Sequence, residues 1–188
     1  MSDDPLRILV VCTANICRSP VAERLLGRHL TQRGAAVEVR SAGTSGGHLD
    51  VHRDTLAAAN RVSIDMSDHV SRAVNRTRLV EDGADLVLAM TREHLRSVVA
   101  LEPSVWPRSF TLKELVRRGS VSGPRGTTET LDEWYRRVAQ GRRAADLMRP
   151  DPLDDLADPY GGPASGHVVM VDDIDRLTAQ LARLMMPT

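Results

Sequence analysis

Four consecutive apolar residues, Ile8-Leu9-Val10-Val11, run directly into Cys12-Thr13-Ala14-Asn15-Ile16-Cys17-Arg18-Ser19-Pro20. An apolar-periodic segment with Val21, Leu25, Leu26 and Leu30 follows. The first run reads as a buried strand and the last as a helix, so the stretch between them turns at a strand's carboxyl end. Ser19 stands where an N-cap belongs and Pro20 where a first helical residue belongs, so the helix is expected to start there. A loop closing onto a helix N-terminus points several backbone N–H groups at one spot, where the helix dipole adds partial positive charge. Such a stretch is an anion site.

Cys12 at the strand end and Arg18 six residues on make this site chemical. Inward N–H groups and a guanidinium favour the thiolate form of a cysteine. Arg18 also carries the planar fork that grips two oxygens of a phosphate, which a lysine lacks.

The remaining chain alternates strand and helix signals, which implies a parallel sheet with right-handed helical crossovers and a ligand site at the strands' carboxyl ends. Strands are expected at 6–12, 37–40 and 85–90, with a fourth ending in Ser109-Phe110-Thr111. Helices are expected over 20–33, 53–61, from a Thr91 cap through Val98, over 112–118 and over 165–184. In the last of these, Val169, Ile174, Leu177, Leu181 and Leu184 are available to pack. The Gly-, Ser- and Thr-rich stretch 119–128 reads as an exposed loop. Leu131, Trp134, Tyr135, Val138, Ala145 and Met148 form an apolar stripe at helical spacing, read as core. Asp151, Asp154 and Asp155, in a Pro- and Asp-rich loop, read as solvated charges.

At 188 residues the chain is expected to form one domain, 1–188, with an extended region around 103–150. A formal net charge of zero favours neither nucleic acid nor an anionic membrane surface. No apolar run approaches membrane-spanning length, and two cysteines spaced by five suggest a reducing cytoplasmic setting.

The stretch Cys12 to Pro20 resembles the phosphate-binding loop of the low-molecular-weight protein tyrosine phosphatases, which also lies near the N-terminus. Asp158-Pro159-Tyr160 matches that family's Asp-Pro-aromatic segment, and Ser41-Ala42-Gly43-Thr44 and Asp68-His69-Val70-Ser71-Arg72 resemble two further segments in the same order. The resemblance implies a flavodoxin-like α/β fold, a four-stranded parallel sheet with helices on both faces. It implies hydrolysis of phosphotyrosine through a phosphocysteine at Cys12, without metal or cofactor, on a phosphotyrosine-containing protein. The N–H groups of Thr13, Ala14, Asn15, Ile16, Cys17 and Arg18 would bind the phosphoryl oxygens, with Arg18 bridging two of them. Asp158 would be the general acid and then base, and Tyr160 a cleft wall. Asn15, Ser19, Ser41 and His69 would support the loop, with Asn15 in a left-handed turn and Ser19 assisting the sulfur. Cys17 matches the partner of a reversible disulfide with Cys12.

Three positions depart from the family pattern. Ala14 stands where glycine is usual, which would strain the loop if that residue needed a positive φ. The loop from Ser45 to Leu49 lacks the aromatic residue that often forms the second cleft wall. Ile16 replaces a threonine found in the family's protein-arginine phosphatases, and an apolar side chain there argues for an aryl substrate. Two other functions fit the same residues. One is arsenate reduction with a low-molecular-weight thiol, since no cysteine follows Cys17 to support an internal cascade. The other is a non-catalytic phosphate-binding module.

Overall fold

The structure is a computed structural model that describes residues 4–45, 47–81 and 83–186. Four strands, β1 (Leu6–Cys12), β2 (Val37–Gly43), β3 (Leu86–Ala89) and β4 (Ser109–Thr111), form one sheet in the order β2-β1-β3-β4. All three pairings are parallel, with Cys12 opposite Gly43 and Val11 opposite both Ala42 and Ala89. The helices are α1 (Arg18–Thr31), α2 (Arg53–Arg61), α3 (Arg92–Leu101), α4 (Leu112–Ser122), α5 (Leu131–Val138) and α6 (Ala164–Met185).

Alternation along β1 builds the two sides of the sheet. Ile8, Val10 and Cys12 join one core with Leu25 and Leu26 of α1, Leu115 of α4 and Ile174 and Leu181 of α6. Leu9 and Val11 join Val87, Val98 of α3 and Val105 in a second core across the sheet. Each such Leu or Ile removed from water contributes roughly 1.5–3 kcal/mol. The sheet is thus buried on both faces, as the apolar strands require. Because β2 and β3 flank β1 on opposite sides, the chain order reverses at β1, and a crevice opens beyond its carboxyl end. Cys12 is the last residue of that strand.

The structure corrects several expectations. β2 runs on through Ser41, Ala42 and Gly43. α1 starts at Arg18, with no side-chain cap at Cys17. Ser19 is therefore inside the helix, and its hydroxyl bonds Cys12, Asn15 and the Ala42 carbonyl instead. α4 continues into the glycine-rich stretch as far as Ser122, and 123–128 is loop as expected. A Cβ on Gly119 would lie 3.0 Å from the Trp134 ring and 3.1 Å from Leu184, so this glycine permits close packing inside a helix.

The stripe over 131–148 splits into α5, held by a capping box between Thr130 and Glu133, and a short turn of 3-10 helix at Ala144–Met148. Trp134, Tyr135 and Val138 are buried, but Met148 is exposed and Leu147 packs inward in its place. Arg142 lies against the rings of Trp106 and Phe110, 4.0 and 4.1 Å from their centroids, and pairs with Glu114. Val169 faces outward from α6. Asp154 is buried between Arg92 and Arg117, at 2.6 and 2.7 Å, and Asp155 accepts from the backbone N–H of Arg92 at the start of α3. Neither is a solvated loop charge. Gly46 of the Ser45 to Leu49 loop lies outside the described residues.

Candidate active site

The loop between β1 and α1 folds back over the sheet edge because its carbonyls, and that of Cys12 before it, are held from outside. Cys12 O accepts from Thr44 N, Thr13 O from Ser45 N, Asn15 O from the His69 ring and Ile16 O from His52 N, all at 2.9–3.0 Å. In a planar trans peptide the N–H points opposite to the preceding carbonyl. The N–H groups of Thr13, Ala14, Ile16 and Cys17 therefore turn the other way, toward the pocket.

Asn15 has φ 58°, a left-handed conformation in which asparagine is among the better non-glycine residues. Its side chain secures that turn through bonds to Ser19 Oγ (2.9 Å), Ser41 Oγ (2.8 Å) and the backbone N–H of Arg72 (2.9 Å). Ser41 in turn donates to Glu23. Ala14 is not among the described residues of positive φ, so its side chain causes no strain of that kind. The close approach falls instead to Gly43, where a Cβ would lie 2.5 Å from Thr13 O and 3.0 Å from the Ala14 carbonyl carbon.

The sulfur of Cys12 is buried and lies 3.0 Å from Ser19 Oγ. Cys17 is also a free, buried thiol. Burial pushes it up to about 11, against a smaller lowering by a bond from Thr55. Cys17 is thus held protonated at neutral pH.

Arg18 reaches back from the first turn of α1 and is almost fully buried. Its Nη2 donates to Asp158 Oδ2 at 2.5 Å and to Thr13 Oγ1 at 3.2 Å, while Nη1 donates to the Leu156 carbonyl at 3.3 Å. Nε is buried without a partner among the described residues. Asp158 sits on the loop before α6, partly exposed, and its Oδ1 accepts from Tyr160 N. Cys12, Thr13, Ala14, Ile16, Cys17, Arg18, Leu49, Asp158 and Tyr160 enclose a cavity of about 270 Å³. Leu49 takes the place of an aromatic second wall.

Two histidines here were not expected from the sequence. His94, in the first turn of α3, is buried with Nε2 2.8 Å from Thr13 Oγ1 and Nδ1 2.9 Å from Thr91 Oγ1. Burial and then the Arg18 charge hold its ring down at about 4, so it is neutral at physiological pH. The signal for it was Thr91-x-x-His94 directly after β3, at the same sheet edge as the loop. His52 caps α2 and underlies Tyr160, with ring centroids 5.8 Å apart in an edge-on arrangement. It stacks on the buried His167, which bonds Thr55. His52, Asp54 and His167 bring potential ligand atoms within 4.8 Å, but the two rings lie 11° from parallel. In-plane lone pairs of stacked rings do not converge on one ion.

The sequence profile of the low molecular weight phosphotyrosine protein phosphatases matches residues 7–141. The chain belongs to that family. It is 36% identical over 120 residues to the low molecular weight protein-tyrosine-phosphatase Etp of Escherichia coli K12, covering 62% of this chain and 76% of that protein. It is 31% identical over 181 residues to a protein-arginine-phosphatase of Geobacillus stearothermophilus, covering 95% of each. The crystal structure of a YwlE mutant from Bacillus subtilis superposes with TM-score 0.70 at 27% identity, covering 95% of this chain and 97% of that one. The four-stranded parallel sheet with helices on both faces is the fold of this phosphatase family. Its relatives act on phosphoproteins of two kinds, as their names state, so family membership establishes a phosphatase and leaves the phosphorylated side chain to the pocket. No helix among the described residues is long and apolar enough to cross a membrane.

Proposed function

We propose that this protein is a metal-free, cytoplasmic protein tyrosine phosphatase that works through a phosphocysteine at Cys12. The convergence of Cys12, Arg18 and Asp158 on one cavity walled by Ile16, Leu49 and Tyr160 carries the reading. Phosphate binding alone needs neither a nucleophile nor an acid.

In this mechanism the Cys12 thiolate attacks phosphorus in line, and the bond from phosphorus to the phenol oxygen breaks. Asp158 gives its proton to that oxygen, a step that contributes about 10²–10⁴-fold when the leaving group is poor. The inward N–H groups of Thr13 to Arg18 and the Arg18 fork hold the three equatorial oxygens as charge gathers on them. Water then attacks the phosphocysteine, Asp158 takes its proton, the sulfur–phosphorus bond breaks and phosphate leaves. Ser19, 3.0 Å from the sulfur, donates to the departing thiolate. Asn15, Ser41 and His69 keep the loop in shape and take no part in bond changes.

The long alignment with a protein-arginine-phosphatase favours a second reading, in which the substrate is phosphoarginine. Ile16 and Tyr160 weigh against it. An apolar residue and a ring suit the face of a phenol, whereas a guanidino group carries N–H donors that need acceptors at the pocket wall. The discriminating experiment compares kcat/KM on one peptide carrying phosphotyrosine or phosphoarginine, with Cys12→Ser as the control. Faster turnover of phosphotyrosine, abolished by Cys12→Ser, supports the proposal. Preference for phosphoarginine overturns the substrate assignment. Turnover of arsenate with a small thiol and none of either peptide overturns the phosphatase reading altogether.

A further inference from the structure

We propose that His94 is a positioning residue for the Arg18 clamp, donating from Nε2 to the Thr13 hydroxyl so that this oxygen holds Nη2 of Arg18 and aims its own proton into the phosphate pocket. The inference rests on the phosphatase reading and assigns a role to a residue outside the loop.

The hydrogen-bond chain is short, and one tautomer of His94 gives it its direction. A guanidinium only donates, so Thr13 Oγ1 is the acceptor in its 3.2 Å contact with Arg18 Nη2. At the other end, Thr91 Oγ1 accepts from the backbone N–H of His94 as the cap of α3 and lies 2.9 Å from Nδ1, to which the proposal has it donate. An uncharged imidazole with an accepting Nδ1 carries its proton on Nε2, which lies 2.8 Å from Thr13 Oγ1. Both lone pairs of that hydroxyl are then occupied, one by His94 and one by Arg18. Its proton is left to point where Thr13 borders the cavity, a third kind of donor beside the loop amides and the guanidinium.

The arrangement matters because Nη2 of Arg18 also bonds Asp158 at 2.5 Å. For Asp158 to serve a leaving oxygen, that contact has to open while the guanidinium stays over the phosphoryl group. Thr13, locked by a buried ring on a helix of the opposite sheet face, is then the hold on Nη2, beside the Leu156 carbonyl on Nη1. The loop amides already bind the ground-state phosphate, so losing this hold acts mainly on the transition state.

The test measures kcat and KM for an aryl phosphate with wild type, His94→Phe, His94→Gln, Thr13→Val and the His94→Phe/Thr13→Val double variant. The proposal expects His94→Phe and Thr13→Val each to lower kcat about tenfold with KM changed less than about threefold, the loss of one oriented hydrogen bond in the transition state. The Gln variant, whose amide still reaches Thr13, recovers most of the loss. The double variant is no worse than either single one, as expected for two members of one chain. Losses that multiply, or a Phe variant with wild-type kcat, overturn the proposal. A ring that merely fills space would lower melting temperature without this coupling. Wild type inert toward aryl phosphates overturns the aryl-substrate assignment instead. Calorimetric binding of orthovanadate, which takes the five-coordinate geometry of the transition state on a cysteine nucleophile, then reads the clamp: equal losses in the two single variants that do not multiply in the double variant support it, and unchanged affinity refutes it.

Discussion

Arg18 and Asp158 lie 140 residues apart in the chain and 2.5 Å apart in space, joined by a charge-assisted hydrogen bond across the mouth of the cavity. In the proposed mechanism the same Nη2 holds a phosphoryl oxygen while Cys12 attacks phosphorus. Substrate and Asp158 therefore compete for one donor, and binding of the phosphoryl group frees the carboxyl to approach the leaving oxygen.

This competition gives Asp158→Asn a leaving-group dependence. With a phenol of ordinary basicity, kcat falls by about 10²–10⁴, the contribution of a positioned general acid. With a strongly activated phenol, which leaves unassisted, the fall shrinks toward the loss in the hydrolysis step. Steady-state rates across a series of substituted aryl phosphates check this, and a uniform ratio of mutant to wild type would remove Asp158 from the acid role.

Gly43 tests the support beneath the loop. A methyl group there meets Thr13 O at 2.5 Å and the Ala14 and Asn15 backbone at 3.0 and 3.1 Å, none of which is a flexible side chain. Gly43→Ala is expected to push the loop off its amide geometry and reduce kcat/KM by at least about tenfold, since small misplacements are costly in a preorganised site. Kinetics together with a melting curve check it. Activity should fall further than the change in folded fraction accounts for.

His94 sets a pH dependence of stability. Its folded form takes up a proton only at about 4, against 6.5 for a free ring. Between those values the unfolded chain binds the proton and the folded one does not, so stability falls as the pH drops through that window. The loss is at most about 3 kcal/mol by pH 4. Urea unfolding from neutral pH to about 4 should show it in wild type and show less in His94→Gln. The buried His167, also held low by burial, adds a loss of the same sign to both proteins. Asp154 acts below the window. Burial opposes its charge, but Arg117 and Arg92 outweigh that and hold its carboxyl below the ordinary 3.8, so its contribution is lost only as the pH falls further.

Much of this was legible in the chain because local chemistry and global architecture agree at the strand–loop–helix junction. An apolar strand, Cys12, Arg18 and Pro20 in that order leave one geometry at a parallel sheet's edge. The readings that missed were settled by contacts distant in sequence. Ser19 looked like a cap, but Cys12 and Asn15 take its hydroxyl. Gly119 looked like a turn, and its missing side chain instead lets α4 close on Trp134. Asp154 looked solvated until Arg92 and Arg117 arrived from two helices. His94 was passed over because a histidine in the first turn of a helix carries no periodic signal. Only its position after β3 places it at the site.

The central claim is the sulfur–phosphorus bond. Rapid acid quenching of enzyme mixed with an isotopically labelled aryl phosphate, followed by mass spectrometry of the digested protein, measures it most directly. One phosphoryl group is expected on the peptide bearing Cys12, absent from Cys12→Ala and chased by water at the rate of turnover. Steady turnover with an unlabelled Cys12, or label that forms on another residue at the catalytic rate, would contradict it.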